Sequence, residues 1–223
     1  MADEKFVQSK AFDAMNPRGL AAKRDYVRGL ERRRDPEAMS LLIECLCDES
    51  WYLRDLSEQA FLRLGDEAAP VLLPLLEQGL WFTRTSAAGI LGRLGCRAAV
   101  PALLRLAEDP NRTVAEAACD SLVAIGRQRG AFRIAHLLHR QPHDVRRRRL
   151  EEIARRDHAL AGRIERLLAS ESLMTLEDDG ALGDDSPMVR GASEGLDWKL
   201  ITGPAPPQET PHAEEGDGGA PES

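Results

Sequence analysis

Cysteine and histidine are the residues of this sequence that could bind a metal ion or act as nucleophiles, and their spacing fits neither role. Cys45 and Cys47 lie two residues apart in an apolar helical pattern, so they point to different faces and form a poor metal clamp. Three histidines between residues 136 and 143 have helical spacing, but Pro142 interrupts that helix. Phosphate-binding glycine loops, nucleophile elbows and zinc signatures are absent from the sequence. The sequence therefore predicts no metal site, no cofactor and no catalytic residue.

Four of the ten aromatic residues form two adjacent pairs, which lie thirty positions apart. The first pair is Trp51 and Tyr52, and the second is Trp81 and Phe82. Aromatic side chains are enriched among the residues that dominate binding energy at protein interfaces. Two interpretations stay open: the pairs anchor a partner, or they cover turns between helices.

Arginines are concentrated between residues 127 and 156, and the densest run is Arg146, Arg147, Arg148 and Arg149. Such a patch could bind phosphates with salt-dependent affinity, which would point to nucleic acid or another polyanion. It could equally be a solvated end of the fold. The chain contains a repeat of about thirty residues, described below, and the positions equivalent to Arg148 and Arg149 in its other units hold small or apolar residues. Burying an unpaired arginine costs several kcal/mol. We therefore expect looser helix stacking here.

The C-terminal segment differs in composition from the rest of the chain. Residues 171–223 contain two basic and 13 acidic residues, whereas residues 1–170 contain 28 and 24. Such a segment buries too little apolar area to offset its chain entropy, so we predict a disordered acidic tail. The tail could fold back onto the arginine run. Trp198, within the stretch GLDWKLI, is either the anchor of a short docking motif or an incidental linker residue.

A repeat of about thirty residues must position these side chains. Leu64-Gly65, Leu94-Gly95 and Ile125-Gly126 are spaced by 30 and 31 residues. Apolar residues within each unit recur at three- and four-residue spacing, which indicates two helices per unit. Small residues share one column of the second helices, and each glycine falls where a helix C-terminus favours a left-handed residue. The prediction is an all-α solenoid, built from about four helical hairpins.

The aligned residues resemble the HEAT repeat, in particular the short HEAT-like type of phycobilisome-lyase-related proteins. That pattern has Pro in the first helix, Asp in the turn and Arg early in the second helix. The matching residues are Pro70, Pro101, Asp48, Asp109, Arg54, Arg84 and Arg146. The resemblance covers about residues 17–170 and implies a right-handed solenoid. It also raises bilin-lyase-like activity as a less favoured alternative.

Three regions are predicted: a flexible arm over 1–16, the solenoid over 17–170 and the tail over 171–223. Asn16-Pro17 resembles a helix start, and the helix should extend to about Arg33. An amphipathic helix over 158–170 should seal the other end. The N-terminus lacks the apolar core of a signal peptide, and no stretch is long and apolar enough to cross a membrane. We expect a monomeric cytoplasmic protein that does not associate with membranes.

The predicted function is a non-enzymatic scaffold or adaptor that binds an unidentified protein along its second helices. Nucleic-acid binding through the arginines of 127–156 is the main alternative. Helical spacing alone selects the remaining candidate binding positions. They are Asp55, Glu58, Gln59, Thr85, Ala88, Glu116, Asp120, Arg147 and Glu151.

Overall fold

The computed structural model describes residues 19–48 and 50–170, and all regular structure in these residues is helical. The predicted N-terminal arm, the helix start at Asn16-Pro17 and the acidic tail with Trp198 lie outside the described residues. In chain order the α-helices are α1 (Gly19–Arg33), α2 (Pro36–Cys47), α3 (Trp51–Leu64), α4 (Ala69–Leu72), α5 (Trp81–Leu94), α6 (Val100–Leu106), α7 (Arg112–Ile125), α8 (Ala131–His139), α9 (His143–Arg156) and α10 (His158–Leu168).

The helices form two layers, as a solenoid of hairpins requires. The second helices α3, α5, α7 and α9 pack side by side, and α1 extends this layer at the N-terminal end by packing on α3. The first helices of the four pairs are α2, the segment around α4, α6 and α8, and α10 packs against both α8 and α9. The all-α solenoid of four hairpins with helical caps is therefore confirmed.

Proline determines how the first helices of the second and third pairs begin. Pro70 and Pro101 both lie in the first turn of their helices, where the missing N–H would have no partner anyway. The segment around α4 is irregular, because short 3-10 helices at Gly65–Ala68 and Leu73–Leu76 flank it. A 3-10 turn at Arg97–Ala99 likewise precedes α6. The aligned prolines therefore mark helix starts.

The repeated glycines behave in two different ways. Gly65 and Gly95 have φ of +67° and +70° and terminate α3 and α5, as predicted. The prediction is wrong for Gly126, which has φ of −58° and continues the helix. A Cβ there would lie 2.7 Å from Cδ2 of Leu160, so this glycine allows α10 to approach closely. The chain reverses at Arg129 instead, where φ is +91°.

The predicted column of small residues lies in the core. Ser57, Ala87 and Ala118 are completely buried. The Ser57 hydroxyl donates to the carbonyl of Leu42 at 2.6 Å, which satisfies it inside the first pair. The tightest approach of this layer joins α5 to α7, where a Cβ on Gly92 would lie 2.7 Å from Cα of Ser121. Small side chains therefore set the spacing of the second helices.

The terminal helices agree with the sequence prediction at the end of α1 and at the start of α10. Helix α1 ends at Arg33, and α10 covers most of the predicted terminal helix. Asp157 is the N-cap of α10, and its carboxylate accepts from the N–H of Leu160 at 2.9 Å. Leu160, Ala161 and Ile164 of α10 are buried against the last pair.

Arg149 corrects the expectation of loose stacking near the C-terminal end. Its side chain is 4% exposed, and its guanidinium donates to the Ala107 carbonyl at 3.2 Å. It also pairs with Glu152 and, at 3.3 Å, with Glu108. The buried charge is therefore compensated and ties α9 to the preceding pair. Arg148 is exposed beside Asp144 and carries no burial cost.

Candidate protein-binding surface

The two tryptophans begin neighbouring second helices and are largely open to solvent. Trp51 is the first residue of α3 and 71% exposed, and Trp81 is the first residue of α5 and 50% exposed. Each ring meets its neighbour edge to face, with centroids 5.8 Å apart for Trp51 and Tyr52 and 5.7 Å apart for Trp81 and Phe82. Tyr52 and Phe82 are half-buried. The inner ring of each pair thus supports an outer indole that remains available.

Arginine and aspartate residues that recur at the repeat spacing hold the turns that carry these pairs. The Arg54 guanidinium donates to the Asp48 carbonyl at 2.8 Å and lies over the Phe82 ring, 4.9 Å from its centroid. Arg84 donates to the Gly79 carbonyl at 2.7 Å and to the Asp109 carboxylate at 2.9 Å. These arginines connect one repeat to the next.

The predicted turn aspartates also cap their own turns. The Asp48 carboxylate accepts from the N–H of Ser50 at 2.7 Å, and the Asp109 carboxylate accepts from the N–H of Asn111 at 2.8 Å. Asp109 therefore serves the turn and Arg84 together.

The surface of the second helices is polar beside the tryptophans. Asp55 and Gln59 are exposed and bonded to each other at 2.8 Å. Glu58 accepts from the Ser86 hydroxyl at 2.5 Å and so spans α3 and α5. The Thr85 hydroxyl donates to the carbonyl of Trp81 at 2.8 Å. These four predicted positions share the surface that the tryptophans border.

The remaining predicted positions divide between exposed and buried. Glu116 is exposed and paired with Arg112, and Asp120 is exposed and paired with Arg156. Arg147 and Glu151 are exposed neighbours on α9. The prediction is wrong for Ala88, which is fully buried because its backbone meets α7, and its carbonyl accepts from the Ser121 hydroxyl.

Several arginines of the predicted basic patch form ion pairs with other residues of the chain. Arg149 is buried and therefore does not belong to an exposed patch, which corrects its assignment. Arg127 pairs with Asp157 at 2.6 Å, and Arg156 pairs with Asp120 at 2.5 Å. Arg147 and Arg148 are exposed, whereas Arg146 is half-buried. The arginine run is thus divided between helix packing and surface.

The cysteines that the structure buries are chemically quiet. Burial raises the pKa of the Cys45, Cys47 and Cys119 thiols, so these groups are protonated near neutral pH. A protonated thiol is a poor nucleophile and a poor metal ligand. Within residues 19–48 and 50–170, no three His, Cys, Asp or Glu side chains come together as a metal site.

An arginine-lined groove between α1 and α3 was missed by the sequence analysis. Its arginines Arg24, Arg28 and Arg32 recur every four residues on α1, and Arg63 faces them from α3. The i, i+4, i+8 spacing was visible in the sequence and indicates one helix face. The fourth arginine comes from another repeat, and only the packing of α1 on α3 brings it there. We call this the N-terminal groove.

Among the described residues, no helix combines the length and the apolar character needed to cross a membrane. Comparison with protein families gives a match over residues 69–155 to the model described as HEAT repeats. The match covers the second and third helical pairs and most of the fourth. The comparison with curated proteins gives no match. The resemblance to the phycobilisome-lyase-related type stays a prediction.

Proposed function

We propose that this chain, which matches the HEAT-repeat model over residues 69–155, is an interaction scaffold whose partner binds across the second helices at the Trp51 and Trp81 edge. HEAT repeats stack into extended surfaces of the kind that interaction scaffolds use. The proposal is a non-enzymatic role for the whole chain.

The exposure of the two indoles is the observation that supports this proposal most directly. Contiguous exposed apolar surface marks interaction sites, and tryptophan is enriched among the residues that dominate binding energy at interfaces. Both indoles belong to equivalent positions of adjacent repeats, and each is held edge-on by a half-buried ring. Helices in contact lie about 8–10 Å apart, so one partner segment could contact both.

The neighbouring polar residues suggest the chemistry of that partner. Thr85, Ser86 and Gly89 give α5 small side chains, so a partner can approach this helix closely. Asp55 and Glu116 are exposed carboxylates on either side of α5. A partner with apolar side chains for the indoles and basic or amide groups for the carboxylates fits this arrangement.

Replacement of both indoles tests the proposal. We expect the Trp51→Ala, Trp81→Ala variant to retain at least tenfold less partner protein in affinity capture than the wild-type chain does. Quantitative mass spectrometry measures the retained amounts. The matched control is Leu20→Ala, which removes another exposed apolar side chain from α1. Thermal unfolding of all three proteins must be compared.

Two results would contradict the proposal. One is an unchanged set of retained proteins in the double variant. The other is a large drop in its unfolding temperature with undiminished retention, because the rings would then only cover the turns. Retention lost only in the double variant, at equal thermal stability, supports the proposal.

Nucleic-acid binding remains the alternative that the sequence raised. Three of its arginines, Arg127, Arg149 and Arg156, already form ion pairs within the chain, which gives it less support. Bilin attachment likewise stays a prediction from the resemblance.

A further inference from the structure

The N-terminal groove is an open cleft of about 420 Å³ between α1 and α3. Val27, almost fully buried, and Leu56, half-buried, form its apolar part. Arg24, Arg28 and Arg32 line it from one helix and Arg63 from the other. The cleft therefore combines an apolar floor with cationic walls.

Most of the positive charge in this groove is not neutralised locally. Glu31 is the acidic residue that lines the groove, and Arg63 engages both of its oxygens, at 2.7 and 2.9 Å. Arg24 lies 3.8 Å from Asp25, at the limit of an ion pair. Within the described residues, Arg28 and Arg32 have no carboxylate within 4.0 Å. Like charges four residues apart on a helix are mutually destabilising, so an anionic occupant would relieve a real cost.

The composition of the chain selects among the segments that could supply that anion. Residues 1–18 contain three acidic and three basic residues, so the N-terminal segment offers no net charge. Residues 171–223 contain 13 acidic and two basic residues. An apolar floor additionally requires an apolar side chain next to carboxylates. Trp198, with Asp197 beside it and Glu194 four positions before it, has that composition.

Distance allows this segment to reach the groove. Four contacts join the second helices from α9 back to α1, so at about 8–10 Å each the groove lies roughly 30–40 Å from the last pair. About 24 residues separate Ser170 from Glu194 and could extend to about 80 Å. A flexible chain of that length has a typical end-to-end distance of about 25–30 Å, so tethering gives a substantial effective concentration.

We propose that the N-terminal groove is a binding site for an acidic, tryptophan-bearing peptide segment and that residues 194–201 of the same chain occupy it. The Trp198 ring packs on the Val27 and Leu56 floor. The carboxylates of Glu194 and Asp197 meet the guanidinium groups of α1. The groove lies between α1 and α3 and does not include Trp51 or Trp81, although Gln59 lines the groove and also belongs to the polar surface beside the tryptophans.

Photo-crosslinking in the full-length chain tests the proposal. A photoreactive amino acid in place of Gln59, which lines the groove, should give its main crosslink to a peptide within 190–205. Mixing isotopically labelled and unlabelled chains separates crosslinks within one chain from those between two chains. Crosslinks mainly to residues 1–18, to a second copy or to another protein would overturn the proposal.

Charge reversal adds a second, independent measurement. Arg28→Glu with Arg32→Glu should lower the crosslink yield at least fivefold, and Glu194→Arg with Asp197→Arg in the same chain should restore part of it. The matched control, Arg147→Glu with Arg148→Glu, reverses two exposed arginines at the other end and should leave the yield unchanged. An equal fall in the control would overturn the proposal, because the attraction would then be unspecific.

Two further variants separate this site from the proposed partner surface. Trp198→Ala should lower the crosslink yield, whereas Trp51→Ala with Trp81→Ala should not. The groove arginines are exposed, so their replacement should leave the thermal midpoint nearly unchanged. Arg28→Gln with Arg32→Gln provides a milder variant, which must also lose yield; unchanged yield in both arginine variants would refute the site.

Discussion

At the residue scale, Gly126 shows how one residue type serves different ends at equivalent repeat positions. Gly65 and Gly95 are needed for their positive φ, whereas Gly126 is needed because Leu160 occupies the space of a side chain. The helical φ of Gly126 would by itself favour alanine, since glycine is the weaker helix former. Packing and propensity therefore oppose each other at this position.

Gly126→Ala should accordingly destabilise the protein by about 1 kcal/mol, at the low end of the cost of overpacking, because the close atoms are terminal methyl groups of Leu160 and Ile134 and not backbone. Gly89→Ala is the matched control, because a Cβ at Gly89 in α5 would meet nothing within 4 Å. The control should gain up to about 1 kcal/mol from helix propensity. Urea unfolding measures both changes, and equal signs for the two variants would contradict the packing role of Gly126.

Arg129 has the backbone conformation that Gly126 lacks. Its φ of +91° is strained for a residue with a Cβ, so Arg129→Gly should stabilise the protein by about 1 kcal/mol. Arg127→Gly in the same loop should instead destabilise it, because that change removes the ion pair to Asp157 and loosens a helical residue. Urea midpoints decide the matter: no gain for Arg129→Gly would mean that the turn carries no strain.

At the element scale, the arginine and aspartate columns connect hairpins rather than stabilise single helices. Arg84 belongs to the second pair and Asp109 to the third, and both are largely buried, with exposures of 22% and 11%. The second pair has Gln78 where the first and third pairs have aspartate, and there Arg54 lies over Phe82. The Phe82 ring is thus one of the neighbours of Arg54.

A double-mutant cycle with Arg84→Ala and Asp109→Ala should give a coupling energy of about 1–2 kcal/mol, because the pair is partly shielded from water. The exposed pair Arg105 and Glu77 provides the control cycle, for which we expect less than about 0.5 kcal/mol. Denaturant unfolding of the wild type and the six variants gives both values. Similar couplings would show that the buried pair is no stronger than a surface one.

Asp157 links the stability of α10 to pH. The N–H of Leu160 and then the Arg127 guanidinium lower the pKa of Asp157 from its ordinary value of 3.8. Because the folded-state pKa lies below the unfolded one, the stabilisation is present above about pH 4 and is lost as pH falls through the folded-state pKa. Asp157→Asn should therefore be less stable than the wild type at pH 7, by a difference that shrinks in acid. Urea midpoints from pH 7 to pH 3 test this, and a constant difference would contradict it.

The repeat period made the hairpins, proline starts, small-residue column and end caps predictable, because each follows from local spacing. The Gly126 conformation, the burial of Ala88 and the pairing of Arg149 were mispredicted. Each depends on a residue about thirty positions or more away: Leu160, Ser121 and Glu108. The exposure of the tryptophans and the position of Arg63 in the N-terminal groove likewise could not be predicted without knowing how the layers pack.

At the scale of the whole molecule, stability should be greatest in the middle of the stack. Helices α5 and α7 have second-helix neighbours on both sides, and Gly92 and Ser121 bring their backbones together. Terminal units of a repeat array have neighbours on one side only and open first.

Hydrogen exchange followed by mass spectrometry should therefore find the slowest amides in α5 and α7 and faster exchange in α1. The Trp51→Ala, Trp81→Ala variant serves as a control, because exposed side chains contribute little to opening of the layer. Uniform protection from α1 to α10 would indicate a single cooperative unit rather than a stack of hairpins.

The buried Arg149 also limits which hairpins of this protein could be duplicated to give a longer repeat array. Repeat arrays lengthen by duplication, and a duplicated last hairpin would place a copy of Arg149 against the last hairpin itself. At the 31-residue offset, Leu138, His139 and Leu150 would stand where Ala107, Glu108 and Cys119 now surround the guanidinium. The carboxylate of Glu108 would have no counterpart, so the copied arginine would lose a partner that it has now. The last hairpin can close an array but is poorly suited to follow itself, and lengthening by duplication is expected only among the inner hairpins.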